Sequence, residues 1–228
     1  MNAYRHVPGE SRLIRINCGQ ADIEGMLESP ENPLGIILFA HGSGSSRLSP
    51  RNNYVARVLR QAGMGTLLLD LLTAEEDEVY RTRFDIALLT GRLKSASEWI
   101  MQQPIGHFPL GLFGASTGAA AAIQLSAMSG QSVSACVSRG GRPDLAGTEA
   151  LEKIVAPTLL IVGGLDDVVL QLNQDAYRLM RCEKRLEVVP GATHLFEEPG
   201  KLEMAAELAR DWFLEHMDKE APLRRPTL

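Results

Sequence analysis

The chain has 228 residues, of which 45% are hydrophobic and 22% charged, with a formal net charge of −5. This length suits one sizeable domain, and the composition is that of an ordinary globular chain rather than a disordered one. A mildly acidic chain with no basic block is unsuited to gripping nucleic acid, and apolar runs such as Ile36 to Ala40 are far too short to span a bilayer.

Along the chain, residues Arg12 to Cys18 and Ala21 to Glu28 alternate apolar with polar and predict a half-exposed hairpin. The later strand candidates read differently. Segments 34–40 (LGIILFA), 66–72 (TLLLDLL), 108–113 (FPLGLF), 133–138 (VSACVS) and 157–162 (PTLLIV) are almost continuously apolar, and Leu186 to Val189 completes the set. A strand apolar on both faces must be covered on both, as in a parallel sheet flanked by helices. The stretches between them carry helical spacing: Asn52 to Gln61, Phe84 to Gln102, the alanine-rich Thr117 to Met128, Val169 to Met180, and Lys201 to Met217. In the last, Leu202, Ala205, Ala209, Trp212 and Phe213 make one stripe facing a core.

This alternation predicts an α/β fold, a mostly parallel doubly wound sheet with helices on both faces and no sizeable lid. One domain is expected over 1–217, with a tail at 218–228. The acidic run Glu75-Glu76-Asp77-Glu78 reads as a solvated loop inside the connection from Thr73 to Arg83. Cys18, Cys136 and Cys182 are scattered, without C-x-x-C spacing, and H-E-x-x-H is absent. Neither a disulfide framework nor a zinc site is expected, and a reducing compartment follows. Met1 to Glu10 shows no apolar signal segment, so the cytoplasm is the expected location.

In doubly wound sheets the ligand sits beyond the carboxyl ends of the strands, so the loops that follow strands are where chemistry is expected. Four stand out. Gly114-Ala115-Ser116-Thr117-Gly118 joins a strand to the alanine-rich helix and has the form G-x-S-x-G, which exposes a serine hydroxyl on a strained turn. The bland reading is a glycine-bounded turn with Ser116 as a helix cap. The second loop holds Asp166 and Asp167, either of which can orient a histidine, while Asp167 also suits the start of a helix at Val169. The third brings His194 after the last strand. The fourth, His41-Gly42-Ser43-Gly44-Ser45-Ser46, can aim backbone N–H groups at an oxyanion but lacks the lysine of a phosphate loop.

Taken together, these motifs resemble the α/β-hydrolase superfamily from about Arg12 to Met217, and within it the small dienelactone-hydrolase-like branch. The stretches SRGGRPD, PTLLIVGGLDDVV and VVPGATHLFEEPG are similar to hydrolase domains that are fused in some proteins to a phosphoribosyltransferase. The resemblance implies Ser116 as nucleophile, Asp166 as acid and His194 as base, with the backbone N–H groups of Ser43 and Thr117 as oxyanion hole. Dienelactone hydrolases themselves use a cysteine where this chain has Ser116. The implied activity is hydrolysis of a small ester, lactone or thioester through an acyl-enzyme, with no metal or organic cofactor, no nucleic-acid partner and no membrane partner. Arg139 and Arg142, near the same sheet edge, are either substrate-binding or loop-bracing through backbone carbonyls or Asp144. The rival readings are a non-catalytic binding protein on this fold and a haloperoxidase-type or acyltransferase activity on the same three residues.

Overall fold

The hairpin is formed by β1 (Glu10–Asn17) and β2 (Asp22–Ser29), antiparallel, with Asn17 opposite Asp22. Ile14 and Ile16 turn inward while Leu13 and Arg15 face water, the period of two that the alternating sequence predicts. This is a computed structural model, and it describes residues 8–128 and 132–217, so the expected tail at 218–228 lies outside the described residues.

Six further strands follow: β3 (Ile36–Ala40), β4 (Gly65–Leu69), β5 (Leu110–Ala115), β6 (Ala135–Arg139), β7 (Thr158–Gly163) and β8 (Lys184–Val189). They run parallel, and β2 joins β4 antiparallel, giving one sheet in the order β1-β2-β4-β3-β5-β6-β7-β8. On β3, Ile36, Leu38 and Ala40 enter one core while Ile37 and Phe39 enter the other. That division explains why the strand sequences show no polar alternation: both faces are covered.

Helices α1 (Pro50–Gln61) and α7 (Lys201–His216) cover one face, burying Val55, Leu59, Ala205, Ala209, Trp212 and Phe213. The other face is covered by α3 (Ile86–Met101), α4 (Thr117–Ala127), α5 (Thr148–Lys153) and α6 (Asp167–Leu179), which follow α2 (Ala74–Glu78) in the chain. Helix starts follow local chemistry. α1 begins two residues earlier than its apolar spacing predicts, because Ser49 Oγ accepts the Asn52 N–H at 3.3 Å and Pro50 suits the first helical position.

The acidic run is not a plain solvated loop. It forms α2, opened by a reciprocal cap in which Thr73 Oγ accepts the Glu76 N–H at 3.2 Å and Glu76 Oε2 accepts the Thr73 N–H at 2.9 Å. Glu76 Oε1 also takes the buried Arg92 at 2.6 Å, and Asp77 takes Arg83. The T-x-x-E spacing at 73–76 carried that signal in the sequence. α5, at 148–153, is also absent from the apolar pattern, since only Leu151 of its residues is buried.

The chain runs outward from β3 to β4, then back past β3 to β5. The helices therefore leave in opposite directions and open a crevice at the carboxyl ends of β3 and β5.

Candidate active site

Ser116 stands at the end of β5 with φ 49° and ψ −120°, a region that L-residues with side chains rarely occupy. The surroundings hold it there. Its N–H donates to Arg139 O at 3.3 Å, and its carbonyl accepts the Arg142 and Ala119 N–H groups at 3.0 and 3.1 Å. The two flanking glycines are required by close backbone approach: a Cβ on Gly114 would sit 2.4 Å from Ala119 Cα, and one on Gly118 2.2 Å from Ala40 O. Gly118→Ala is therefore expected to destabilise the fold by about 3 kcal/mol or more, read as a lower urea midpoint, because rigid backbone must move. The Ser116 side chain makes no capping hydrogen bond to α4, so the bland reading of this residue does not hold.

The hydroxyl instead meets His194, whose Nε2 lies 3.4 Å from Ser116 Oγ. On the other side of the ring, His194 Nδ1 lies 2.7 Å from Asp166 Oδ2. Asp166 precedes α6, which starts at Asp167 rather than Val169, and its carboxylate is turned to the histidine instead of capping the helix. Asp167 is exposed on the first turn. The two loops are tied together: Leu165 N–H donates to Ala192 O and Gly164 N–H to Val189 O, both at 2.9 Å. Gly163 permits this, since a Cβ there would lie 2.4 Å from Ala192 O. Thr193 anchors the far side through Glu198, which accepts from its hydroxyl at 2.6 Å and its N–H at 3.1 Å.

The glycine-rich loop after β3 packs directly on Ser116, since a Cβ on Gly42 would be 2.9 Å from Ser116 Cβ. A tight turn closes through Ser45 N–H to Gly42 O, with Gly44 at φ 66°. Ser43 and Gly42 line a cleft of about 180 Å³ together with Ser116 and His194. Thr117 opens α4, where backbone N–H groups have no acceptor within the helix, and it shares a smaller hollow with Ser43.

No family model matches the chain. It is 50% identical to a dienelactone hydrolase of Anabaena variabilis of known structure, covering 93% of this chain and 100% of that one, with a TM-score of 0.88. The chain belongs to the dienelactone-hydrolase-like branch of the α/β-hydrolase superfamily. A protein of Mycobacterium tuberculosis named a putative phosphoribosyl transferase is 54% identical over 223 residues, which are 97% of this chain and 50% of that protein. The chain thus spans about half the length of the curated relatives it matches. Est1E of Butyrivibrio proteoclasticus shares the fold at 15% identity, with a TM-score of 0.77 over 90% of this chain and 98% of that one.

In this α/β-hydrolase, sequence reasoning gave His41 no separate role. It is buried, and its ring joins two loops: Nε2 accepts the Leu71 N–H at 3.0 Å, so Nδ1 carries the proton and donates to Gly42 O at 2.9 Å. Burial, the largest influence, lowers its pKa below 6.5, against the opposing pull of the Gly42 carbonyl, Asp70 and Asp77. Its position just before Gly42 was the available signal, but the Leu71 contact is tertiary.

The two arginines part company. Arg142 donates through Nε and Nη2 to both oxygens of Asp144, at 2.8 and 2.7 Å, and does not line the cleft. This is the bracing arrangement, the second of the two readings of Arg142. Arg139 is buried and does line the cleft. Among the described residues, the one grouping close enough to hold a metal ion is Glu183, Glu215 and His216, at the opposite, amino-terminal edge of β8. No helix among them is long and apolar enough to cross a membrane.

Proposed function

We propose that this chain, acting as a single hydrolase domain over 1–217, cleaves small carboxylic esters, lactones or thioesters by acyl transfer to water. The observation that carries this reading is the continuous line from Asp166 through His194 to Ser116, with contacts of 2.7 and 3.4 Å, beside a loop of backbone donors. His194 Nε2 takes the Ser116 proton as Oγ attacks the carbonyl carbon. Asp166 holds the proton on Nδ1, which leaves Nε2 free to accept, and stabilises the imidazolium once formed. The 3.4 Å contact is long for proton transfer and must shorten when substrate is bound. The N–H groups of Ser43 and Thr117 receive the oxyanion. The protonated His194 then gives its proton to the departing alcohol or thiol, and water repeats the sequence on the acyl-enzyme.

The cleft volume of about 180 Å³ is below the usual range for drug-sized ligands, which supports small substrates. A panel of 4-nitrophenyl esters, simple lactones and acyl thioesters tests the reading, and an inert protein across the whole panel would contradict it.

His41 is a positioning residue in this scheme. In a trans peptide the C=O and the next N–H point in opposite directions, so a clamp on Gly42 O aims the Ser43 N–H. His41→Gln is expected to lower kcat by about tenfold to a hundredfold with little change in KM, since loss of a whole oxyanion donor costs about 10²–10³. It has a second readout. Because the folded pKa is lowered, the unfolded chain binds the extra proton first as pH falls below 6.5. The stability His41 provides is therefore complete above that pH and declines below it. The difference in melting temperature between wild type and His41→Gln should shrink on acidification.

A further inference from the structure

Among the described residues other than glycine, Asn32, Ser116 and Phe196 take positive φ angles. Asparagine is one of the residue types most often found there, and Ser116 is held by the backbone bonds of its turn. Phe196, at φ 58°, has neither explanation. A bulky side chain in the left-handed region crowds its own backbone, and such a conformation persists only where the surroundings enforce it. Here the ring enforces it. Phe196 is 1% exposed and lies in the core that also holds Ala192, Ala205 and Ala206.

This residue lies two positions after His194. Its N–H donates to Thr193 O at 3.2 Å, so His194 and Leu195 are the two central residues of a tight turn. The left-handed step at Phe196 then turns the chain back, and Glu198 accepts from both the hydroxyl and the N–H of Thr193. The ring also reaches beneath the imidazole. A Cβ added at Gly140, just after β6, would lie 3.5 Å from Phe196 Cε2 and 3.6 Å from His194 Cε1. The two rings therefore flank the same bare stretch of backbone, which is itself fixed by the Gly140 N–H donating to Ile161 O at 2.8 Å. The His194 side chain is 37% exposed, so little packs on its outer side and its position depends on the turn that carries it.

We propose that Phe196, assisted by Glu198, is a positioning residue for His194: its buried ring forces the left-handed step, and that step sets where the imidazole stands between Asp166 and Ser116. This rests on the hydrolase reading above and adds to it a residue that touches no reacting atom. The geometry leaves little slack. Nε2 is already 3.4 Å from Ser116 Oγ, so outward drift of the turn takes it out of hydrogen-bond reach.

The test compares two variants that leave nearly the same cavity. Phe196→Ala and Phe196→Gly both delete the ring, but glycine accepts φ 58° freely and alanine does not. With 4-nitrophenyl acetate, Phe196→Ala is expected to lose about a hundredfold in kcat with KM changed by no more than about threefold, the cost of misplacing a reacting group by about 1 Å. Phe196→Gly should keep several-fold more of the wild-type kcat than Phe196→Ala. A side chain that only fills space gives the opposite order, since alanine leaves the smaller cavity, and that order would overturn the proposal. If neither variant folds, Glu198→Ala carries the test, because its side chain lies outside the core; it should lower kcat by about tenfold at unchanged KM. A second arm needs no turnover. The Nδ1 proton held between His194 and Asp166 should give a low-field proton resonance in wild type that is absent from His194→Ala and lost to exchange in Phe196→Ala or Glu198→Ala. Unchanged kcat and an unchanged resonance in these variants would overturn the proposal while leaving the hydrolase reading intact. A resonance that depends on Phe196 or Glu198 in a protein that hydrolyses none of the ester panel would support the positioning role and overturn the hydrolase reading instead.

Discussion

Ser116→Ala is expected to lower kcat/KM for a 4-nitrophenyl ester by a factor on the order of 10⁴ or more, with the fold unchanged. The size of the effect follows from chemistry. Without Oγ there is no acyl-enzyme, and the variant keeps only the binding and oxyanion contributions to direct attack by water. The unchanged fold follows from structure: the side chain caps nothing, and the backbone bonds to Arg139, Arg142 and Ala119 do not involve it. A fluorophosphonate probe should label wild type once per chain and the variant not at all. Wild-type turnover by the variant would remove Ser116 from the mechanism.

The second large effect separates two neighbours. Asp166→Asn is expected to reduce kcat by about 10³–10⁴, because an amide facing His194 Nδ1 can donate a hydrogen bond and so favour the wrong tautomer, and it cannot stabilise an imidazolium. Asp167→Asn should cost no more than about threefold, since that side chain is exposed on the first turn of α6 and its loss removes only a favourable helix-end charge. Parallel steady-state kinetics on the two variants decides this, and an equal loss in both would point to loop disruption rather than loss of a partner for the histidine.

Much of the architecture was legible because burial on both faces leaves a plain mark. The run from Ile36 to Ala40 has no polar residue, and it lies between two cores. The glycines around Ser116 were legible for a related reason, since only a residue without Cβ tolerates backbone at 2.2–2.4 Å from that position. Helix edges were less so. Apolar spacing missed α2 because none of its residues is buried, and its existence depends on the exchange of hydrogen bonds between Thr73 and Glu76.

The sequence by itself determined the layered α/β sheet, the strained serine turn and the loops that had to meet at the strand ends, because periodicity and glycine placement are local and each residue carries its own part of the signal. Residue spacing left Asp166 and Asp167 open and only the family resemblance favoured Asp166; the tertiary structure decided that its carboxylate reaches His194, that the His41 ring joins the Gly42 carbonyl to Leu71, and that Arg92 is answered by a carboxylate while Arg139 has no such partner among the described residues. Those outcomes depend on partners distant in the chain. A side chain's chemistry is written in its own residue, but whether its charge or its donors are satisfied depends on what folding brings beside it.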